Sequence, residues 1–408
     1  MNKKRDRARR LIRILPALLC LVGFMLLPAG CGTASQPSQK PESPDTNAMT
    51  TASETVTPTP EPESEASTPA PSPSGTPTPS PTAKPRPEMS ATPEPVRKDT
   101  RLPFSRGVNL GNCLEAPLEG AWGLVIQDEW MTAIQGAGFD HIRLPVKWSA
   151  YAQKEAPFAI DEKILERVDH VIETALAADL GVVLNVHHYD EMATDPEAHA
   201  DRLAAIWAQL AEHYKNQPET VAFELMNEPN GVADPVWPKM QETLHAQVRA
   251  TDPDRWLCIT NGSWSSAGRL STLTLSETIL ADERTFATFH FYEPFSFTHQ
   301  NASWVAGSDA WAGTKWNGNT MQQRQITNLF DQVSGWSARN GDIPVLMGEF
   351  GAYSAADPIS RQRWTEFCAR EAERRGFAWT YWEFASGFGI YGKNSKQFDT
   401  ALLKALIP

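Results

Sequence analysis

From about residue 104 onward the apolar residues keep two rhythms: short β-type runs, most ending in a polar or charged side chain, alternate with longer stretches at helical spacing. The short runs are R-G-V-N-L-G-N (residues 106–112), H-I-R-L-P-V (141–146), G-V-V-L-N-V-H-H (181–188) and V-A-F-E-L-M-N-E-P, closing on Asn227-Glu228-Pro229. Then come W-L-C-I-T-N (256–261), F-A-T-F-H-F-Y (286–292), P-V-L-M-G-E-F-G, closing on Glu349-Phe350-Gly351, and F-A-W-T-Y-W-E-F (377–384). They predict eight strands. Helices are predicted between them at 161–179, 201–215, 238–250, 321–339 and 360–375. The first opens on a capping aspartate and sets Ile164, Val168, Val171, Ile172 and Ala175 on one face. Alternating β and α elements mean parallel strands, and eight of them favour an α/β fold closed as a (β/α)8 (TIM) barrel over residues 101–408. A doubly wound open sheet is the competitor, but no G-x-G-x-x-G follows the first strand.

The first hundred residues have neither rhythm. Residues 1–30 carry Lys3, Lys4, Arg5, Arg7, Arg9, Arg10 and Arg13 against Asp6 alone, followed by an apolar run from Leu11 to Leu27 and then Ala29-Gly30 before Cys31. That is the layout of a secretory signal peptide. Cys31 directly after Ala-Gly looks like a lipoprotein cleavage site, which would make it the lipidated residue and give the chain a membrane anchor. Pro28 departs from that pattern, so simple cleavage and an uncleaved anchor stand beside it. Residues 31–100 hold half of the chain's 32 prolines and no Phe, Trp or Tyr, and so predict a disordered Pro/Thr/Ser-rich linker. The protein is expected to be exported, either tethered to the bacterial cell surface or secreted.

The net charge is −12, and −18 once the basic leader is removed. An acidic protein with no basic stripe argues against nucleic acid and polyanionic substrates and leaves a neutral partner. Cys113, Cys258 and Cys368 are scattered without metal-like spacing. They read as small core residues, with one disulfide as the alternative. No cofactor and no metal are expected, and a monomer is.

In a (β/α)8 barrel the C-terminal ends of all strands meet on one face, so Glu228 and Glu349, far apart in the chain, can face each other. Paired carboxylates across a sugar linkage are what glycoside hydrolysis needs, one to protonate the leaving oxygen and one to attack the anomeric carbon. Asn112, Arg143, His187, His188, Asn227, His290, Tyr292, Trp382 and Glu383 close other runs, and one converging site accounts for them all. Arg143 needs a buried acidic partner. That partner is Glu224 alone, or Arg143 also reaches Glu349 and keeps it ionised. His187 and His188 could be metal ligands, but no further His/Asp cluster completes a set. As strand neighbours pointing to opposite faces, one would bond substrate and the other would pack.

These motifs, with H-H-Y-D, F-H-F-Y-E-P-F, F-T-H-Q and Y-W-E-F, resemble glycoside hydrolase family 5, the retaining β-glycanases of cellulase type, across residues 104–408. The resemblance is nearest to bacterial endoglucanases, some of which also cleave mannan. It implies Glu228 as acid/base, Glu349 as nucleophile, Asn227 on the sugar 2-hydroxyl, and Arg143 and Tyr292 orienting Glu349. His187, His188, His290 and Trp382 would line the central subsite; Asn112, Glu115, His299 and Trp304 would extend the cleft, and Glu383 is included among the binding residues. Asn301 stands where a glycine is expected after F-T-H-Q. The implied activity is endo-β-1,4-glucanase on β-glucan and cellulose derivatives, extending to glucomannan or mannan. A β-mannanase or xyloglucanase is the alternative within the class, and a glycan-binding surface lipoprotein or a metallohydrolase the alternative outside it.

Overall fold

The computed structural model describes residues 101–408. The proposed leader, Cys31 and the linker lie outside them. Eight parallel strands close in sequence order into a barrel: β1 Arg106–Asn109, β2 His141–Val146, β3 Gly181–Val186, β4 Val221–Glu224, β5 Leu257–Ile259, β6 Thr285–Phe291, β7 Val345–Phe350 and β8 Ala378–Tyr381. Each predicted run contains one strand. Several strands stop two to five residues before the run does, so Asn112, His187, His188, Asn227, Glu228, Trp382 and Glu383 stand on the loops just beyond.

The longer helices sit where the spacing puts them. Glu162–Ala177 is capped by Asp161, whose side chain accepts from the Lys163 amide, and it buries Ile164, Val168, Val171, Ile172 and Ala175. Pro196–Tyr214, Trp237–Thr251, Thr320–Arg339 and Pro358–Arg374 follow. Glu129–Gly136 and Thr400–Leu406 complete the ring at places where no helix was predicted. The apolar faces of these helices and the outward strand residues form the main core.

Inside the barrel the inward positions change character along the strands. At the N-terminal end Phe104, Val183, Ala222, Cys258, Phe286, Leu346 and Ala378 form a separate apolar layer. Above it stand Asn109, Arg143, Asn185, Glu224, Thr288 and Thr380, all fully buried. This polar layer supports the site at the C-terminal face, where function collects in such barrels. The three cysteines are buried and unbridged.

One irregularity in the sheet matters for the site. β6 pairs with β7 as Phe289 with Met347, then His290 with Glu349, so Gly348 is an extra residue bulged from β7. The bulge sets Glu349 beside His290. Only glycine fits, because a Cβ at position 348 would lie 2.5 Å from Thr288 Oγ1.

Candidate active site

The loops beyond the strand ends enclose a cleft of about 1260 Å³, lined by Asn112, Glu115, His187, His188, Asn227, Glu228, His290, Tyr292, His299, Trp304, Glu349 and Trp382, among others. That volume exceeds the roughly 300–1,000 Å³ of a small-molecule pocket and suits several sugar units.

Arg143 is the pivot of the cleft floor. Its Nε and Nη2 donate to both oxygens of Glu224 at 2.7 and 2.8 Å, Nη1 donates to Asn109 at 2.9 Å and Glu349 Oε1 at 2.7 Å, and Nη2 also donates to Asn227 Oδ1 at 2.6 Å. The two partners weighed from sequence are therefore both present. Glu224 neutralises the buried guanidinium, and the fork is left aimed at Glu349 and Asn227. With Asn227 Oδ1 engaged, its amide nitrogen remains for the cleft.

Glu349 takes a second bond from the Tyr292 hydroxyl, at 2.8 Å to Oε2. Burial, together with nearby carboxylates, pushes that phenol well above its ordinary range, so it stays a donor. For Glu349 itself, burial raises the carboxyl above the usual value, opposed by His290, Arg143 and the Tyr292 bond. Glu228 has a poorer set of partners. His290 Nδ1 lies 2.6 Å from its Oε1, and burial pushes its pKa up to about 7, with Arg143 opposing and Glu224 adding. Burial comes first among these causes. His290 is held down to about 4 by burial and is neutral. Oxygens of Glu228 and Glu349 and a His290 ring nitrogen lie within 4.8 Å of one another. Three such atoms could hold a metal, but the Arg143 cation already bonded to Glu349 occupies that electrostatic role.

His187 and His188 do not point to opposite faces of a strand. Both stand past the end of β3 and line the cleft, with ring centroids 4.6 Å apart. His187 is buried and stacks on Trp382 at 5.7 Å, while the half-buried His188 meets Trp122 edge-on. The Trp382 indole also packs against Gly111, where a Cβ would meet it at 2.8 Å. Glu115 is buried at the cleft floor, accepts the amides of Asn112 and Cys113, and is raised to about 7 by burial.

Glu383 does not join the cleft. It is fully buried, and its carboxylate accepts the amides of Ala385, Ser386 and Phe388, tying the loop after β8 to itself. A loop carboxylate satisfied by its own backbone has the sequence appearance of a binding residue. Asn301 adopts φ 56°, the left-handed conformation that asparagine tolerates best after glycine, so the substitution is compatible with the turn.

The cleft also contains residues the sequence reading passed over. Trp122 and Trp264 are 47% and 58% exposed, a fraction shared by Trp304 at 58%, and exposed indoles on a cleft wall suit pyranose faces. Phe295, Tyr353 and Phe388 add further aromatic surface. Trp264 follows N-G-S between two predicted elements, and a tryptophan outside any apolar rhythm was the available signal.

A family model described as Cellulase (glycosyl hydrolase family 5) matches residues 105–387. Endoglucanase H of Acetivibrio thermocellus is 35% identical over 307 residues, covering 74% of this chain and 32% of that protein. The chain spans about a third of the length of the first curated relatives it matches. Among solved structures, Thermotoga maritima Cel5A in complex with cellobiose is similar at TM-score 0.72 and 42% identity, over 74% of this chain and 97% of that one. Its complex with mannotriose gives the same TM-score, identity and coverage.

Proposed function

The chain belongs to glycosyl hydrolase family 5, and from that premise we propose that it is an endo-β-1,4-glucanase working by double displacement with retention. The observation that carries this reading is the carboxylate pair. Oxygens of Glu228 and Glu349 approach within 4.8 Å, close to the roughly 5–5.5 Å of retaining enzymes and short of the roughly 6.5–9.5 Å that leaves room for an inverting water. Their surroundings divide the labour. Glu349, held by Arg143 and Tyr292, is presented ionised to the anomeric carbon. Glu228 keeps a proton into the neutral range, gives it to the leaving oxygen, and then takes one from the water that hydrolyses the glycosyl-enzyme. The Asn227 amide bonds the 2-hydroxyl, where charge-sensitive contacts strengthen in the transition state. Trp382 offers an aromatic surface to the apolar side of the sugar.

The substrate is a neutral β-1,4-glycan. The acidic chain and the aromatic cleft support this, and the mannotriose complex of a 42% identical relative supports extension to glucomannan or mannan. Export, with Cys31 lipidated and the barrel held off the surface by residues 31–100, belongs to the same proposal. The reading is tested by reducing-sugar release from barley β-glucan, carboxymethylcellulose, glucomannan and mannan, with and without EDTA. Chelator-independent cleavage of β-glucan at internal bonds is expected. Binding without release would make the protein a glycan-capturing lipoprotein, and loss of activity with EDTA would make it a metallohydrolase.

A further inference from the structure

The turn after β5 is built left-handed. Ser263 (φ 57°, ψ 52°), Trp264 (φ 56°, ψ 37°) and Ser265 (φ 52°) are three consecutive residues with side chains in the positive-φ region. Residues other than glycine enter that region at a cost and usually singly, so a run of three persists only where surrounding contacts enforce it. What the run achieves is the placement of Trp264, which is 58% exposed on the cleft wall. Among the described residues the indole makes no ring contact and no hydrogen bond. The backbone beneath it therefore sets where it stands.

Three contacts fasten this run to the loop after β4, which carries Glu228. The Trp264 amide donates to the Pro229 carbonyl at 3.1 Å, and the Ser265 hydroxyl donates to the Asn227 carbonyl at 2.6 Å. The third is a clasp: Asp234 accepts the Ser263 amide on Oδ1 and the Ser263 hydroxyl on Oδ2, both at 2.7 Å. The first two acceptors are main-chain carbonyls, which any sequence would supply. Asp234 is a side chain and has to be specified. Gly262 makes room for it, since a Cβ there would lie 2.6 Å from Asp234 Oδ1.

We propose that Asp234 is a positioning residue for glycan binding: by clasping Ser263 at both amide and hydroxyl, its carboxylate holds the left-handed turn that presents the Trp264 indole to a sugar ring in the cleft. The inference rests on the reading of the cleft as a glycan site, where an exposed indole suits a pyranose face. Asp234 has no bond to Glu228 or Glu349, so its loss should be felt in binding and not in the bond-breaking step.

The test is a double-mutant cycle on β-glucan with Asp234→Ala, Trp264→Ala and the pair combined. Each single variant should raise KM about fivefold and keep kcat within about twofold, the mark of lost uniform binding. The combined variant should be no worse than Trp264→Ala, because Asp234 acts through the indole and the two losses do not add. Asp234→Asn can still accept the Ser263 amide and pair with its hydroxyl, and should bring KM back to near the wild-type value. Losses that multiply in the combined variant, or a fall in kcat at unchanged KM, would overturn the proposal. Ser263→Ala opens one bond of the clasp with Asp234 in place and should raise KM about twofold; an unchanged KM there would overturn the proposal even if Asp234→Ala failed to fold. A readout free of turnover is calorimetric binding of a β-1,4-linked glucose hexamer to Glu228→Gln, with and without Asp234→Ala. Binding about fivefold weaker with Asp234→Ala is expected, and equal affinities would overturn the proposal. That weakening, found together with no β-glucan cleavage by the wild type, would fault the proposed activity and leave the clasp standing.

Discussion

Arg143→Lys separates a strut from a catalytic support. Lysine keeps the charge but has three donors on one atom, against the five bonds, to Glu224, Asn109, Glu349 and Asn227, that Arg143 makes from three nitrogens. An ammonium that stays with the fully buried Glu224 leaves Asn109, Asn227 and Glu349 without their donor. Hydrogen bonds to charged groups contribute roughly 1.5–3 kcal/mol each, and buried groups left unpaired cost about 1–3 kcal/mol. A stability loss of about 3 kcal/mol follows, or roughly 5 °C in Tm for a domain of this size. The bond lost at Glu349 acts on the reacting carboxylate, so about 2–4 kcal/mol should also disappear from kcat/KM, which is roughly 30- to 1,000-fold. Arg143 lowers the pKa of Glu349, so weakening it must move the acid limb of the pH–rate profile to higher pH. The assay is thermal unfolding together with pH-dependent kinetics on β-glucan, normalised to folded enzyme. A lower Tm with unchanged kcat/KM and an unmoved acid limb would show that Arg143 only neutralises Glu224, and the account of Glu349 would fail.

Glu228→Gln should abolish activity yet raise Tm at pH 8. The native carboxyl, pushed up to about 7, binds its proton more tightly than the unfolded chain does, so stability falls as pH rises from about 4.5 through 7, by at most about 3 kcal/mol. Equal Tm values for variant and wild type at pH 8 would contradict this. The same titration should set the alkaline limb of the wild-type profile near pH 7, as a property of the coupled pair. His299→Ala should lower kcat/KM on glucomannan more than on β-glucan, by the roughly 0.5–1.5 kcal/mol of one neutral hydrogen bond, and equal losses would assign His299 to loop structure. A chain beginning at residue 101 should keep wild-type activity on soluble β-glucan, and Cys31→Ser should release the full-length protein from membranes; retention on membranes would point to an uncleaved anchor.

The fold was legible because burial on both faces makes each parallel strand a continuous apolar run, and closure by eight such runs leaves little choice of architecture. The helix at Glu162–Ala177 was legible down to its five buried residues, since capping and spacing agree there. Strand ends were not, because apolar residues such as Leu225 and Met226 carry the run on after the ladder stops at Glu224. The site was legible where a side chain closes a strand, and lost where loop conformation decides. Glu383 turns back onto its own amides, whereas Trp122 and Trp264 reach the cleft from loops that no period describes. The bulge at Gly348 was likewise hidden, since M-G-E reads as ordinary alternation until the register with β6 is known.

The assignment of Glu228 and Glu349 is tested most directly by azide rescue on an activated aryl β-glycoside. With Glu228→Ala the glycosyl-enzyme still forms on Glu349, and azide, attacking it from the opposite face, should give the β-glycosyl azide. With Glu349→Ala azide attacks the substrate directly and should give the α anomer. Reversed anomers in the two variants would contradict the assignment, and an inverted first product from the wild-type enzyme would contradict double displacement itself.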